Sequence, residues 1–252
     1  MLYVPFTLGA LVGCSRASFS PLQLLLLLFS VTFAFIARQS ILDWWLARSR
    51  GIAGVEARRM MLVYVILAGV FGAPVVFFYH RLWLVPVAIL TAVLLAFNSW
   101  QGVRRKDRTI IGEAIAILGL TLTASSAYYV CAGEWDGNAW LLWALCILYF
   151  TSSLFYVKLR VHSLNRRRED LSRQSRLRCR LYHLFLVATL VILAARNNAN
   201  LFVLVAFAPA LLRTFRQLER PAARASLKQI GVLEIAYSVF FLVFVTIGLR
   251  GL

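Results

Sequence analysis

The chain has 252 residues, 61% of them hydrophobic, and a mean hydropathy of +0.78. Apolar runs of the length it carries exclude an ordinary soluble domain and make the lipid bilayer the relevant solvent. It also holds 27 Lys+Arg against 10 Asp+Glu, a net charge of +17. These cations lie in short polar stretches between apolar runs, with no nucleic-acid-binding motif, so they set topology and meet anionic lipid headgroups rather than nucleic acid.

Nine apolar runs follow in chain order: 2–14, 21–37, 60–79, 82–98, 110–131, 139–157, 181–195, 200–213 and 231–249. They predict an all-α fold, a polytopic transmembrane helical bundle of about nine spans forming a single integral membrane domain over 1–252. The first run lacks the basic n-region of a signal peptide and reads as a membrane helix that stays. It is short, as are the seventh and eighth, which are split by ARNNAN with Pro209 near the end of the eighth. That pattern predicts a tilted, kinked or incompletely spanning hairpin.

Sidedness follows from the cations. The stretches 38–59, 99–109, 158–180 and 213–230 hold 23 of the 27; only Arg16, Arg81, Arg196 and Arg250 fall on the other side. The positive-inside rule makes the four basic stretches cytoplasmic, with the N-terminus inside and the C-terminus outside. Trp44, Trp45 and Trp100 lie beyond cytoplasmic ends of the runs, and Trp83, Trp135 and Trp140 at outer ends, the headgroup level that indole prefers. The localisation expected is the cytoplasmic (inner) membrane.

Two carboxylates enter the apolar runs from the cytoplasmic side, Glu113 and Glu234. An ionisable group within a span is expensive and marks a functional candidate. The competing reading is a carboxylate favoured by a helix N-terminus and reaching the headgroups. The run NRRREDLSRQSRLRCR (165–180) reads as a basic helix on anionic lipid or as an arginine-rich anion site. His80, His162 and His183 are dispersed at expected helix ends, which suits interfacial packing better than a haem pair. The four cysteines have no metal-ligand spacing; Cys14 and Cys131 both fall near the outer face, which leaves a disulfide between them open. No GxSxG elbow or Gly-rich phosphate loop is present.

The segments YVPFTLGALVG, FAFIARQSIL, VRRKDRTIIGEAIAILGLTLTA and LYFTSSLFYVKLRV resemble the YwiC-like family of bacterial membrane proteins, over most of residues 1–162. Members of that family usually begin with a further segment bearing a Glu-His-Gly-like motif before Val-Pro-Phe, whereas this chain starts at Met1-Leu2-Tyr3, as a late start would give. The arrangement is also similar to the UbiA prenyltransferase superfamily, with nine helices and large cytoplasmic loops after the second, fourth and sixth. Asp-rich motifs in two of those loops hold Mg²⁺ on a prenyl diphosphate in that superfamily. The matching stretches here, 37–51 and 157–176, lack the Asp-rich spacing. The resemblance therefore implies the fold more than the chemistry: Mg²⁺ is the cofactor it suggests, but the usual ligand motif is absent, which leaves the cofactor open.

Three functions compete on this reading. The first is a lipid-handling enzyme, or an inactive relative of one, in a UbiA-like bundle with an isoprenoid or quinone-like tail in a cytoplasm-facing cavity. There Arg38, Arg104, Arg105, Lys158 and Arg160 cap an anionic head, Glu113 is the acid–base candidate, and Glu234 lines the same cavity. The second is a small-molecule transporter, for which no clear inverted repeat is visible. The third is an accessory subunit whose basic loops dock an acidic partner. Membrane lipids are the expected partners of the inner face in all three.

Overall fold

In hydrocarbon every backbone N–H and C=O must be satisfied within the chain, so the apolar runs fold as helices. The computed structural model describes residues 2–15, 20–104, 109–164, 169–196, 200–219 and 227–250. Among the described residues there are nine helices: α1 (Tyr3–Gly13), α2 (Pro21–Ser49), α3 (Val55–Phe77), α4 (Leu84–Val103), α5 (Ile110–Ala132), α6 (Gly137–Leu164), α7 (Glu169–Ala195), α8 (Leu201–Glu219) and α9 (Leu227–Arg250). Eight are long and apolar enough to cross a membrane; α1 has 11 residues. At about 1.5 Å per residue, α1 falls well short of a bilayer core roughly 30 Å thick.

Several helices outrun their apolar runs. α2 continues to Ser49 rather than stopping at 37, and α4 reaches Val103. α7 offers a 23-residue membrane-spanning stretch from Arg173, and α8 one of 18 residues, so neither is the short segment its apolar run predicts. The reason is physical. Hydropathy marks where the hydrocarbon ends, whereas a helix keeps its hydrogen bonds into the headgroups and beyond. Arg38, Lys158, Arg160 and Arg213, assigned from sequence to polar stretches, consequently stand within helices.

The chain forms two compact units, Met1–Trp143 and Ala144–Leu252, with the boundary inside α6. In unit 1, α5 packs against α1, α2 and α4, and residues 121–131 of α5 are buried without a break. α1 runs parallel to α5 at very close approach: a methyl on Gly9 would fall 1.9 Å from the Ala124 carbonyl oxygen, and one on Gly13 2.7 Å from that of Tyr128. This is the small-xxx-small packing that lets membrane helices touch backbone to backbone. α3 is the opposite case, with 6% of its spanning window buried and Val63, Ile66 and Val70 exposed. On a membrane helix such a surface faces lipid.

The end of unit 1 where α5 stops and α6 starts is tightly made. Gly133, at φ 90°, ends α5 in the left-handed conformation, and Arg81 donates to the Gly133 and Val130 carbonyls at 2.9 and 3.2 Å. Asp136 then caps α6, accepting from the backbone N–H groups of Asn138 and Ala139 at 3.0 and 3.2 Å and from Tyr128 Oη at 2.9 Å. Trp83, Trp135, Trp140 and Trp143 form a chain of ring contacts at 5.5–6.1 Å around this end. In unit 2, α8 packs against both α7 and α9. Prolines lie inside α3 (Pro74) and α8 (Pro209).

Candidate functional site

The most developed polar site lies in unit 2 and is assembled from faces of four helices. Along α6, Tyr149, Ser152, Ser153 and Tyr156 recur at helical spacing and are all buried, forming one stripe. α7 contributes Cys179 and His183, one turn apart. α8 contributes Arg213, and α9 contributes Glu234, Tyr237 and Ser238.

At its centre Arg213 Nη1 donates to Glu234 Oε1, and Ser153 Oγ donates to Glu234 Oε2. Arg213 Nη2 donates to Ser153 Oγ at 3.0 Å, closing a triangle of three side chains from three helices. The guanidinium carbon lies 4.4 Å from the Tyr156 ring and 4.8 Å from the Tyr237 ring, so the cation sits among two aromatic faces. Arg213 and Glu234 are 9% and 6% exposed. Buried Arg213 Nε has no hydrogen-bond partner among the described residues. A lone buried charge would be prohibitive, and the pairing of opposite charges with supporting hydrogen bonds is what makes this one tolerable.

A second strand of the network runs beside it. Ser152 Oγ is 2.9 Å from His183 Nε2, while His183 Nδ1 is 2.8 Å from the Cys179 carbonyl oxygen. A carbonyl only accepts, so Nδ1 carries a proton and, in the neutral ring, Nε2 accepts from Ser152. Ser238 Oγ donates to the Glu234 carbonyl at 2.8 Å and lies 3.4 Å from Tyr149 Oη, whose ring stacks on Phe241 at 4.1 Å. His183 is 0% exposed, which corrects the interfacial position its place at the edge of an apolar run predicts.

The sequence-predicted residues fall as follows. Glu234 is the acceptor at the centre of the unit 2 triangle. Lys158 is half-buried and Arg160 buried, both farther along α6. In unit 1, Arg38 donates from Nε and Nη2 to Asn98 Oδ1 at 2.9 and 2.6 Å, and Asn98 Nδ2 donates to the Gly112 carbonyl at 2.8 Å. This ties α2, α4 and α5 together one residue from Glu113, which is half-buried in the first turn of α5. Arg104, exposed at the end of α4, lies 4.0 Å over the Trp100 ring. Arg105 lies outside the described residues, as do Arg166, Arg167 and Arg168 of the basic run.

Sequence reasoning missed Arg213, Ser153, His183 and the tyrosines. A signal was present in YFTSSLFY, whose polar atoms recur at positions i, i+3, i+4 and i+7 within an apolar run.

A sequence model of the family described as YwiC-like protein matches residues 1–128. The chain is similar to the uncharacterized protein YwiC of Bacillus subtilis (strain 168), with 27% identity over 166 residues. That alignment covers 65% of this chain and 63% of the relative, so the chain spans less than two thirds of the curated relative it matches. No solved structure matches. The Arg213–Glu234 cluster lies beyond the residues that the family model covers.

Proposed function

The chain belongs to the YwiC-like protein family, and from the buried polar cluster of unit 2 we propose that it binds an isoprenoid- or quinone-like amphiphile in the membrane. In this reading the polar head of the ligand meets unit 2 at Arg213, and its apolar tail lies among the spanning helices. One observation carries it: a buried guanidinium, its charge balanced by Glu234, that retains an unpartnered Nε donor. Such a group suits one neutral acceptor oxygen. A quinone-like carbonyl adds a hydrogen bond there without adding charge, whereas a diphosphate would bring anions to a site already neutral.

The cations Arg38, Arg104 and Arg105 of unit 1 and Lys158 and Arg160 of unit 2 belong to this reading as separate contacts for anionic headgroups, and Glu113 as an acid–base candidate within unit 1. A UbiA-like arrangement, residence in the bacterial cytoplasmic membrane and an inside N-terminus with an outside C-terminus are part of the same proposal. The orientation is supported by the 23 cations expected on one side. Among the described residues no three His, Cys, Asp or Glu side chains gather to hold a metal ion, so the side chains at Arg213 do not fit Mg²⁺.

The test is thermal unfolding of the detergent-purified protein with a short-chain quinone, and separately with a prenyl diphosphate with and without Mg²⁺. A ligand that binds only the folded state stabilises it by mass action, by about 2.7 kcal/mol at a hundredfold excess over Kd. The expected result is a metal-independent rise in Tm with the quinone that is lost in Arg213→Lys, which keeps the charge but not the fork. No shift of the wild-type protein at saturating quinone overturns the proposal. A shift confined to prenyl diphosphate also overturns it, and points to a cationic contact away from Arg213.

A further inference from the structure

Cys14 and Cys131 are 117 positions apart in the chain, yet the Cys14 thiol donates to Cys131 Sγ at 3.2 Å. The approach is imposed by the backbones. α1 and α5 run in parallel with Gly9 on Ala124 and Gly13 on Tyr128 and Cys131, and a methyl on Gly13 would lie 2.8 Å from the Cys131 Cβ. The helices therefore cannot hold larger residues between them, and their C-terminal ends present the two sulfurs to each other. Cys131 is 1% exposed, while Cys14 is half-buried at the last turn of α1, so reagents reach the pair through Cys14. Cys146 and Cys179 are both 0% exposed.

We propose that Cys14 and Cys131 form a disulfide in the cell, closing α1 onto α5. A disulfide bond is about 2.05 Å long, so a side-chain adjustment of roughly 1 Å brings the sulfurs into bonding distance. The oxidant is a disulfide-bearing donor in an oxidising compartment. The Cys14 thiolate attacks one donor sulfur, giving a mixed disulfide and expelling the other donor sulfur as a thiol. The Cys131 thiolate then attacks Cys14 Sγ and releases the remaining donor sulfur. One donor disulfide becomes two thiols, which take up the two protons lost by the cysteines, and one disulfide appears in the chain. The proposal rests on the outward placement of this end of unit 1, and it is independent of the ligand at Arg213.

The test is differential alkylation. Cells are quenched in acid and denatured, free thiols are blocked with light N-ethylmaleimide, and disulfides are reduced and labelled with the heavy reagent. Mass spectrometry should find the heavy label on Cys14 and Cys131 and the light label on Cys146 and Cys179. In Cys14→Ser, Cys131 should change to the light label. Light label on both Cys14 and Cys131 in wild-type cells overturns the proposal. Orientation is read separately, by labelling His80→Cys in a Cys14→Ser/Cys131→Ser background on intact cells with a membrane-impermeant maleimide. His80 is exposed in the turn between α3 and α4, so the two failures are distinguishable. Incubation of the reduced, purified protein with glutathione disulfide identifies the donor. Pairing there supports a small-molecule disulfide, and pairing confined to cells supports a protein donor.

Discussion

Arg213 near the end of α8 and Glu234 near the start of α9 are 21 residues apart and form a direct ion pair inside unit 2. They meet because α8 and α9 pack antiparallel, with Gly248 against Val203 at the opposite end of the hairpin. Ser153 of α6 bonds to both, so the pair fastens three helices rather than two.

Removing one member of this pair leaves the other charged and buried. Arg213→Met or Glu234→Met alone should each cost about 3–5 kcal/mol, whereas the double substitution should cost far less than the sum. A double-mutant cycle measured by thermal unfolding in detergent checks this. Additive losses would mean that the two side chains do not interact in the folded protein.

Asn98 joins Arg38 of α2 to the Gly112 carbonyl of α5 from its place on α4. Asn98→Ala should destabilise unit 1 by roughly 1–3 kcal/mol, because it strands a buried acceptor and removes the anchor of a guanidinium. Asn98→Asp should be milder, since its carboxylate still receives Arg38. The order of the two melting temperatures is the measurement.

Gly9 has no room for a side chain. Gly9→Ala should cost roughly 1–3 kcal/mol by overpacking, and Gly9→Leu should lift α1 from α5. Detachment would be read from alkylation of Cys131 in the reduced, purified protein, where it should react much faster in Gly9→Leu than in the wild type.

Asp136 supplies a pH dependence of defined sign. Burial raises its pKa, but hydrogen bonds from Asn138, Tyr128 and the Ala139 and Asn138 amides outweigh burial and hold it below the ordinary carboxylate value. Its contribution is therefore complete above the unfolded pKa of about 3.9 and disappears as pH falls through the lower folded value. Asp136→Asn should keep most of the cap and flatten this acid limb. Asp136→Ala should cost about 1 kcal/mol at neutral pH. Melting curves between neutral and strongly acid pH distinguish the three proteins.

The helices were legible because hydropathy and helix formation have one cause in a bilayer. Their ends were less so, because Arg38 and Arg213 look like loop residues to any rule that stops a span at its first cation. Glu234 stood out as a carboxylate in an apolar run, but its partner did not. Pairing Arg213 with it required knowing that consecutive helices bring the end of one beside the start of the next. His183 was misplaced for the same reason: α7 begins well before its apolar run, so a residue at the edge of the run is deep within the helix. The Cys14–Cys131 contact depends on the parallel packing of α1 and α5, which local periodicity does not encode.

Pro209 lies four residues before Arg213 in α8. Proline has no amide hydrogen, so the Val205 carbonyl cannot receive its usual helical bond, and the rod is weakened at that turn. The last stretch of α8 therefore lies beyond a turn with one backbone bond fewer, and Arg213 stands in that stretch. Its ion pair with Glu234 supplies from a side chain some of the restraint the backbone lacks there, fastening the end of α8 to α9.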